Sequence, residues 1–461
     1  MRVEAASNAA RAGLTFARHR WGFRFSSREA LHRHQARRWQ RLARNFARHA
    51  PLTAWVSAST PLANVPIVEK SDLRDHPELT FTLPIDASVA LETALRAERT
   101  RDFSPTVPVQ GSAYSREVSV GLSSGTSGRQ SLFVLSRQEQ MMWAATVIAR
   151  IVPARMLREI VTPWGKPIRI AFVLRASGHL YESMGVGKLN FAFADLLSPL
   201  DELKRRLEEI DPQVLIAPAS VLSRLARDAG KAITRIEPNL IVSVAEPLDD
   251  QAKGAIRARW SADLREVYQA TEGLIALTCS AGELHLLEEQ VVVEPEWLPD
   301  ENGARSRFTP IITDLERTTQ LTVRRRLDDV LRAAPGSTER CACGRITRRL
   351  AAVEGRLDEV IERPSLTEAG TSPIFPDVLR RAFAVHADGI SEWTVVVDDG
   401  SWTVNVLPHP GTTLAACDEA ARRAVLAACA DAGVTVPDMR VEPWRPAAPG
   451  EKLVRIRRSV R

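Results

Sequence analysis

A chain of 461 residues exceeds what one compact hydrophobic core usually serves and predicts two or three domains. Apolar residues at 44% and charged residues at 26% fit a folded globular protein and exclude a disordered one. Lys and Arg number 62 against 56 Asp and Glu, a net +6 that is too small for a dedicated nucleic-acid binder.

The first segment, Met1–Phe23, lacks the apolar stretch of a secretory leader, and no run in the chain approaches the roughly 18 apolar residues of a membrane-spanning helix. Five cysteines in a chain of this size suit a reducing compartment, so a cytoplasmic protein is expected. In Ser26–His49, Ser26 followed by Glu29 reads as a capping box, and Leu31, Trp39, Leu42 and Phe46 share one face. The spacing predicts a helix that docks by this face and leaves its arginines in water. Val118, Val120 and Leu122, then Leu132 and Val134, alternate as two strands around Ser123-Ser124-Gly125-Thr126-Ser127-Gly128-Arg129. Strand-like runs at Ile168–Leu174, Val214–Ala217, Leu240–Val244 and Leu264–Tyr268 then alternate with helical runs at Leu200–Ile210 and Pro218–Ala229, the pattern of an α/β layered fold. A strand-rich stretch follows over Glu283–Leu331. A break at Arg349–Glu359 precedes a helix at Pro376–Ala384, strands at Trp393–Val397 and Trp402–Val406, and a helix at Ala415–Ala432, enough for a small α+β domain.

The Ser/Gly run carries the first chemical signal. Glycines let a turn point its N–H groups inward, and four hydroxyls add donors, which together suit a polyphosphate. The lysine and following helix of the G-x-x-x-x-G-K-[ST] loop are absent, and a plain flexible turn is the alternative reading. Downstream, Tyr268-Gln269-Ala270-Thr271-Glu272-Gly273 places an aromatic ring, a hydroxyl and a carboxylate within five residues.

Together these two segments resemble the adenylate-forming superfamily of acyl-CoA synthetases, luciferases and peptide-synthetase adenylation domains. The resemblance implies that Ser123, Ser124, Gly125, Thr126, Ser127 and Gly128 bind phosphate, Tyr268 stacks on adenine, Thr271 meets the α-phosphate and Glu272 holds Mg²⁺ of the ATP complex. Ala245, Glu246 and Pro247 in Ser243–Pro247 correspond to the strand end lining adenine. Arg324-Arg325-Arg326-Leu327-Asp328-Asp329 resembles R-Y-R-x-G-D, with Asp329 as ribose acceptor. Arg325 stands for the usual tyrosine and Asp328 for the usual glycine, and Asp314 is a second candidate acceptor. Glu354–Glu359 resembles the G-R-x-D hinge, with Arg356 toward the nucleotide and Asp358 as pivot, and Lys452 after Pro449-Gly450 resembles the catalytic lysine of the last loop. The implied fold is a large N-terminal domain over 1–354, with a helical lead-in over 1–110 and the nucleotide and acid site over 111–354, plus a small mobile α+β domain over 355–461.

Cys279, His285, Cys341 and Cys343 are four soft-metal ligands with the spacing Cys-x5-His and Cys-x-Cys-Gly. Read alone, they are either metal ligands or small buried hydrophobes; Cys417 and Cys429 read as core. Phenylacetate-CoA ligase-like members of the superfamily carry similar cysteines, so the resemblance implies a structural zinc. Arg101–Pro105, Leu174–Ser177 and Ile374–Asp377 are similar to the relatives of deazaflavin-coenzyme adenylyltransferases. The expected activity is ATP-dependent activation of a carboxylic acid, an aryl acid by its branch, as acyl-AMP, then transfer to coenzyme A or a carrier-protein pantetheine. The alternatives are transfer of AMP to a hydroxyl of a coenzyme and a decayed nucleotide-binding module.

Overall fold

The computed structural model describes residues 2–46, 56–69, 72–73, 76–100, 105–111, 117–122, 131–162, 164–174, 188–195, 198, 200–227, 235–298, 305–366, 369–398, 401–445 and 454–458. Helices at Arg2–Ala17, Arg28–Phe46 and Ala87–Thr100 are the α-helices of the lead-in among the described residues. The apolar face of the second docks as its spacing predicts, Trp39 and Leu42 packing with Leu315, Leu321 and Val323. On this helix Arg33, Arg37, Arg41 and Arg44 are exposed, but Arg28 and Arg38, expected in water, are part-buried because they pair with Glu288 and Glu316. Its start differs by one residue, because Ser27 rather than Ser26 accepts the hydrogen bond of a first-turn amide, that of Ala30 at 3.3 Å.

Strands β1 (Thr106–Pro108), β2 (Glu117–Leu122) and β3 (Leu132–Ser136) form a small antiparallel sheet. The last β2–β3 pair is Leu122–Leu132, so the two ends of the Ser/Gly segment meet there; residues 123–130 themselves lie outside the described residues. A second sheet contains β4 (Ile168–Leu174), β5 (Leu189–Asp195), β6 (Val214–Ala217), β7 (Leu240–Ser243) and β8 (Asp263–Ala270). It continues through β9 (Gly273–Thr278), β10 (Leu284–Leu286), β11 (Val291–Trp297), β12 (Arg307–Asp314), β13 (Arg325–Arg326), β14 (Asp329–Ala333) and β15 (Arg349–Arg356). From β5 to β8 the pairing is parallel. Strands β4, β6 and β7 are apolar except for Arg169 and Ser243, because both faces are covered. One cover is a core of Leu203, Leu207, Leu222, Leu225 and Ile256 from helices Leu200–Ile210, Ala219–Arg227 and Asp250–Arg259. Strand β8 is the seam, parallel to β7 and antiparallel to β9.

After β15 a single 3-10 turn, Leu357–Glu359, leads into β16 (Ile361–Pro364) and β17 (Thr371–Ile374). The last sheet has the order β20-β19-β18-β21, with β18 at Ile390–Val397, β19 at Ser401–Pro408, β20 at Asp438–Pro443 and β21 at Ile456–Arg458. Helices Pro376–His386 and Leu414–Asp431 supply the rest of its core. Ala420, Ala421, Ala424 and Ala428 let the long helix approach closely, and Phe383 stacks on Trp393 with ring centroids 4.1 Å apart. Cys417 and Cys429 lie in this core, as their setting predicts. The result is a mixed α/β fold with a small α+β unit at its C-terminal side. No helix among the described residues is long and apolar enough to cross a membrane.

Candidate active site

Ligand crevices in α/β sheets open beyond the C-terminal ends of the parallel strands, and among the described residues Ala245, Glu246, Tyr268, Thr271 and Glu272 lie at or just past the ends of β7 and β8. Strand β7 ends at Ser243, and the chain then makes a three-residue turn, Glu246 N–H donating to Val244 O at 2.8 Å with Ala245 at φ +66°. A positive φ at alanine is strained and persists only where surroundings impose it, a pattern common at binding sites. Glu246 is committed locally: its carboxylate accepts the Ser220 amide at 2.9 Å, in the first turn of helix Ala219–Arg227. Ser243 pairs with Glu266 on β8, two residues before Tyr268.

Tyr268 is buried, and a bulge on β9 (the register shifts past Ile275) lies opposite it. Its hydroxyl donates to Asp329 Oδ2 at 2.6 Å, joining two predicted site residues that lie 61 positions apart in the chain. Burial raises the Asp329 carboxyl above the ordinary carboxylate range; the Tyr268 hydroxyl and Arg356 pull it back, and Glu272 pushes it up. Burial and the Asp329 charge raise the Tyr268 phenol, so it stays a neutral donor. Asp314 is occupied elsewhere. Its Oδ1 accepts the amides of Glu316 and Arg317 at 2.7 and 3.0 Å, and burial pushes its carboxyl up to about 7.

Thr271 and Glu272 form the whole connection between β8 and β9, since Ala270 pairs directly with Gly273. The Thr271 hydroxyl donates to Glu272 Oε2 at 2.8 Å, and Arg325 Nη2 lies 3.2 Å from Glu272 Oε1. Each carboxylate oxygen thus has a partner, the Thr271 hydroxyl on Oε2 and Arg325 on Oε1. Arg317, which motif reading missed, ties this turn to the Ser/Gly segment's exit strand. Fully buried, it donates to Thr271 O at 2.5 Å and to Val134 O on β3 at 3.0 Å. Gln320 completes the clasp by accepting the Val134 amide at 2.9 Å.

Asp329 pairs in register with Arg356 at the end of β15, and Arg356 Nη2 donates to Asp328 Oδ2 at 3.3 Å. Gly355 has φ +134°, and a Cβ there would stand 2.3 Å from Glu359 Oε2. Glu359 pairs with Arg380 of helix Pro376–His386 at 3.0 Å, and Arg380 also donates to Glu354 O. Asp358 is exposed on the 3-10 turn. Lys452 lies outside the described residues; strand β21 beyond it runs beside β18, and Arg458 donates to Val360 O at 2.7 Å, next to that turn.

The ligating atoms of Cys279, His285, Cys341 and Cys343 lie within 4.8 Å of one another. Two turns present the sulfurs. Gly282 N–H bonds back to Cys279 O and Gly344 N–H to Cys341 O, both glycines at positive φ (+87° and +83°). The repeated Cys-x-x-Gly was the available sequence signal for this pair of turns. Amides of Ala281 and Cys343 approach the sulfurs of Cys279 and Cys341 at 3.3 and 3.5 Å and partly offset the burial that raises both thiols. The hydrogen bond from Cys279 is the main cause that brings the Cys343 thiol down to about 3, and the same contact raises Cys279. His285 Nδ1 sits 3.0 Å from Thr347 O, which fixes its proton there and leaves Nε2 facing Cys343 Sγ at 3.7 Å. Tetrahedral zinc with bonds near 2.3 Å to sulfur spaces its ligands by roughly 3.8 Å, so this donor set fits zinc.

No family model and no curated protein matches the sequence. Solved structures do match along nearly all of it. 2-Hydroxyisobutyryl-CoA ligase in the postadenylation state with 2-HIB-AMP is similar at TM-score 0.62 and 17% identity, over 94% of this chain and 89% of that one. The same ligase with 2-HIB-AMP and CoA in the thioesterification state gives 0.52 at 17% identity, over 93% and 90%. GH3.15 acyl acid amido synthetase gives 0.50 at 13% identity, over 86% and 82%. The chain therefore has the fold of the adenylate-forming ligases, the superfamily its motifs resemble.

Proposed function

We propose that this protein is an ATP-dependent ligase that activates a carboxylic acid as acyl-AMP and passes the acyl group to a thiol, coenzyme A or a carrier-protein pantetheine. The observation that carries the reading is the Tyr268–Asp329 hydrogen bond at the end of the parallel strands. It sets a ring and a carboxylate side by side, as binding of an adenine and its ribose requires. The Arg317 clasp supports it by bringing the exit of the Ser/Gly segment to Thr271. In the first half-reaction the acid's carboxylate attacks the α-phosphorus and pyrophosphate leaves. Residues 123–128 hold the β- and γ-phosphates, and Lys452 places positive charge between the approaching anions. Turning at Asp358 then withdraws the lysine and admits the thiol. An apolar acid, aryl by preference, suits the cluster near β4 and β5, where the Phe172 and Phe191 rings lie 5.7 Å apart, with Val242 and Val244 beside them.

The test is ATP–pyrophosphate exchange over a panel of aryl and aliphatic acids, with product mass followed with and without coenzyme A. Acyl-AMP and a thioester are expected; AMP on a hydroxyl and no thioester would favour the adenylyltransferase reading. Lys452→Ala should cut exchange by about 10²- to 10³-fold with nucleotide binding nearly unchanged, and undiminished exchange would remove the lysine from the chemistry.

Zinc is proposed at Cys279, His285 Nε2, Cys341 and Cys343. Bound there it supplies cross-linking of two distant turns and no step of the reaction. Arg24 donates to Cys343 O at 2.5 Å, and the charge of Arg345 acts on Cys343 and Cys279. Elemental analysis of purified protein should find about one zinc per chain, falling in Cys341→Ser; zinc far below one equivalent would count against the site.

A further inference from the structure

The segment Arg324–Asp329 departs from R-Y-R-x-G-D at two positions, and each departure has a charge partner on another of the motif segments. Asp328 faces Arg356 at 3.3 Å, and Arg325 faces Glu272 at 3.2 Å. The second pair is the buried one, its side chains 10% and 7% exposed. The backbone that carries Arg325 is held on both sides. Its strand, β13, is paired with Ile312 of β12 on one side and bridged to Val68 on the other.

A magnesium ion binds carboxylate oxygen directly, at about 2.0–2.1 Å, and insists on a nearly octahedral shell. At Glu272 it would share one buried carboxylate with the Arg325 guanidinium, and like charges so placed repel strongly where water is excluded. The Nε–H of Arg325 is buried with no hydrogen-bond partner among the described residues, so the same side chain keeps a donor in reserve for an anionic oxygen. We propose that Arg325 takes the place on Glu272 that the resemblance gives to a divalent cation. It is a positioning residue: it holds Glu272, and through it the Thr271 hydroxyl, in one orientation. Magnesium then arrives only on the phosphates of ATP. The role in adenylation rests on the function proposed above, but exclusion of a cation from Glu272 is a property of the protein alone.

The test titrates Mn²⁺ into the full chain and reads free Mn²⁺ by electron paramagnetic resonance, with and without AMP. Wild type and Glu272→Gln should bind Mn²⁺ alike. Arg325→Gln should gain one site per chain, about tenfold tighter than any in wild type, and the double variant Arg325→Gln/Glu272→Gln should lose it. A wild-type Mn²⁺ site that Glu272→Gln removes overturns the proposal, and so does a folded Arg325→Gln that gains none. If Arg325→Gln does not fold, the comparison of wild type with Glu272→Gln decides alone. AMP binding, followed by equilibrium dialysis in the same samples, reports separately on the nucleotide reading. Its absence would sink that reading and leave the Mn²⁺ result standing.

Discussion

Arg317→Leu should lower the free energy of unfolding by about 3–5 kcal/mol, the range for removing one partner from a buried ionic network. The side chain is 2% exposed and holds Thr271 O and Val134 O at once. It also sets the charge balance of its surroundings. Burial alone would lift the Glu139 carboxyl, yet Arg317 and hydrogen bonds from Thr319, Thr318 and Ser136 keep it below the ordinary range. Leucine fills much of the space but leaves Glu139 without its counter-charge and two carbonyls without donors. Arg317→Lys keeps the charge and loses the fork, so it should fall between wild type and leucine. Urea midpoints measure all three. Equal midpoints for wild type and Arg317→Leu would mean that the clasp contributes nothing to stability. The same variant should weaken adenine-nucleotide binding, because the strand leaving the Ser/Gly segment and the Thr271 turn are no longer tied.

Gly355→Ala should cost about 2–4 kcal/mol, from a backbone angle that L-residues rarely adopt together with a steric conflict. The angle is φ +134°, and the added Cβ would lie 2.3 Å from Glu359 Oε2, 3.0 Å from Arg380 Nη1 and 3.1 Å from Pro376 Cβ. Glu359 cannot yield freely, since it accepts the Arg356 amide at 3.2 Å and pairs with Arg380. The alanine variant therefore strains the junction through which the small C-terminal unit leaves β15. In the proposed two-step reaction the thioester step should lose more rate than ATP–pyrophosphate exchange, because it needs that junction to turn. Equal losses in both steps, with a melting temperature like the wild type's, would place the effect elsewhere.

The elements most legible in the sequence are those whose burial is simple. Val214–Ala217 and Ile168–Leu174 are parallel strands covered on both faces, and helix Leu200–Ile210 has one apolar stripe, so pattern and structure coincide there. Helix Arg137–Ile151 was not singled out although Ser136 and Glu139 spell the same capping box sought at Ser26. Its neighbours lie on more than one side, helix Arg2–Ala17 and β9 among them, which blurs a single apolar face. For the site, motif resemblance identified Tyr268, Glu272 and Asp329 but not what they touch. Hydrogen bonds such as Thr271–Arg317 and Glu272–Arg325 join residues about fifty positions apart, and no local spacing encodes them. The arginine at 325 looked like a defect of the pattern. Only its ion pair gives it a chemical reason.

The connection from β8 to β9 consists of two residues, and both are functional candidates. A turn that short tolerates changes of side chain but not of length. One inserted residue would slip the hairpin register and rotate the threonine hydroxyl and the glutamate carboxylate to opposite faces of the sheet. Engineering of this protein toward other substrates therefore has to leave that corner's length alone and work through longer connections, where grafts and indels cost the scaffold little.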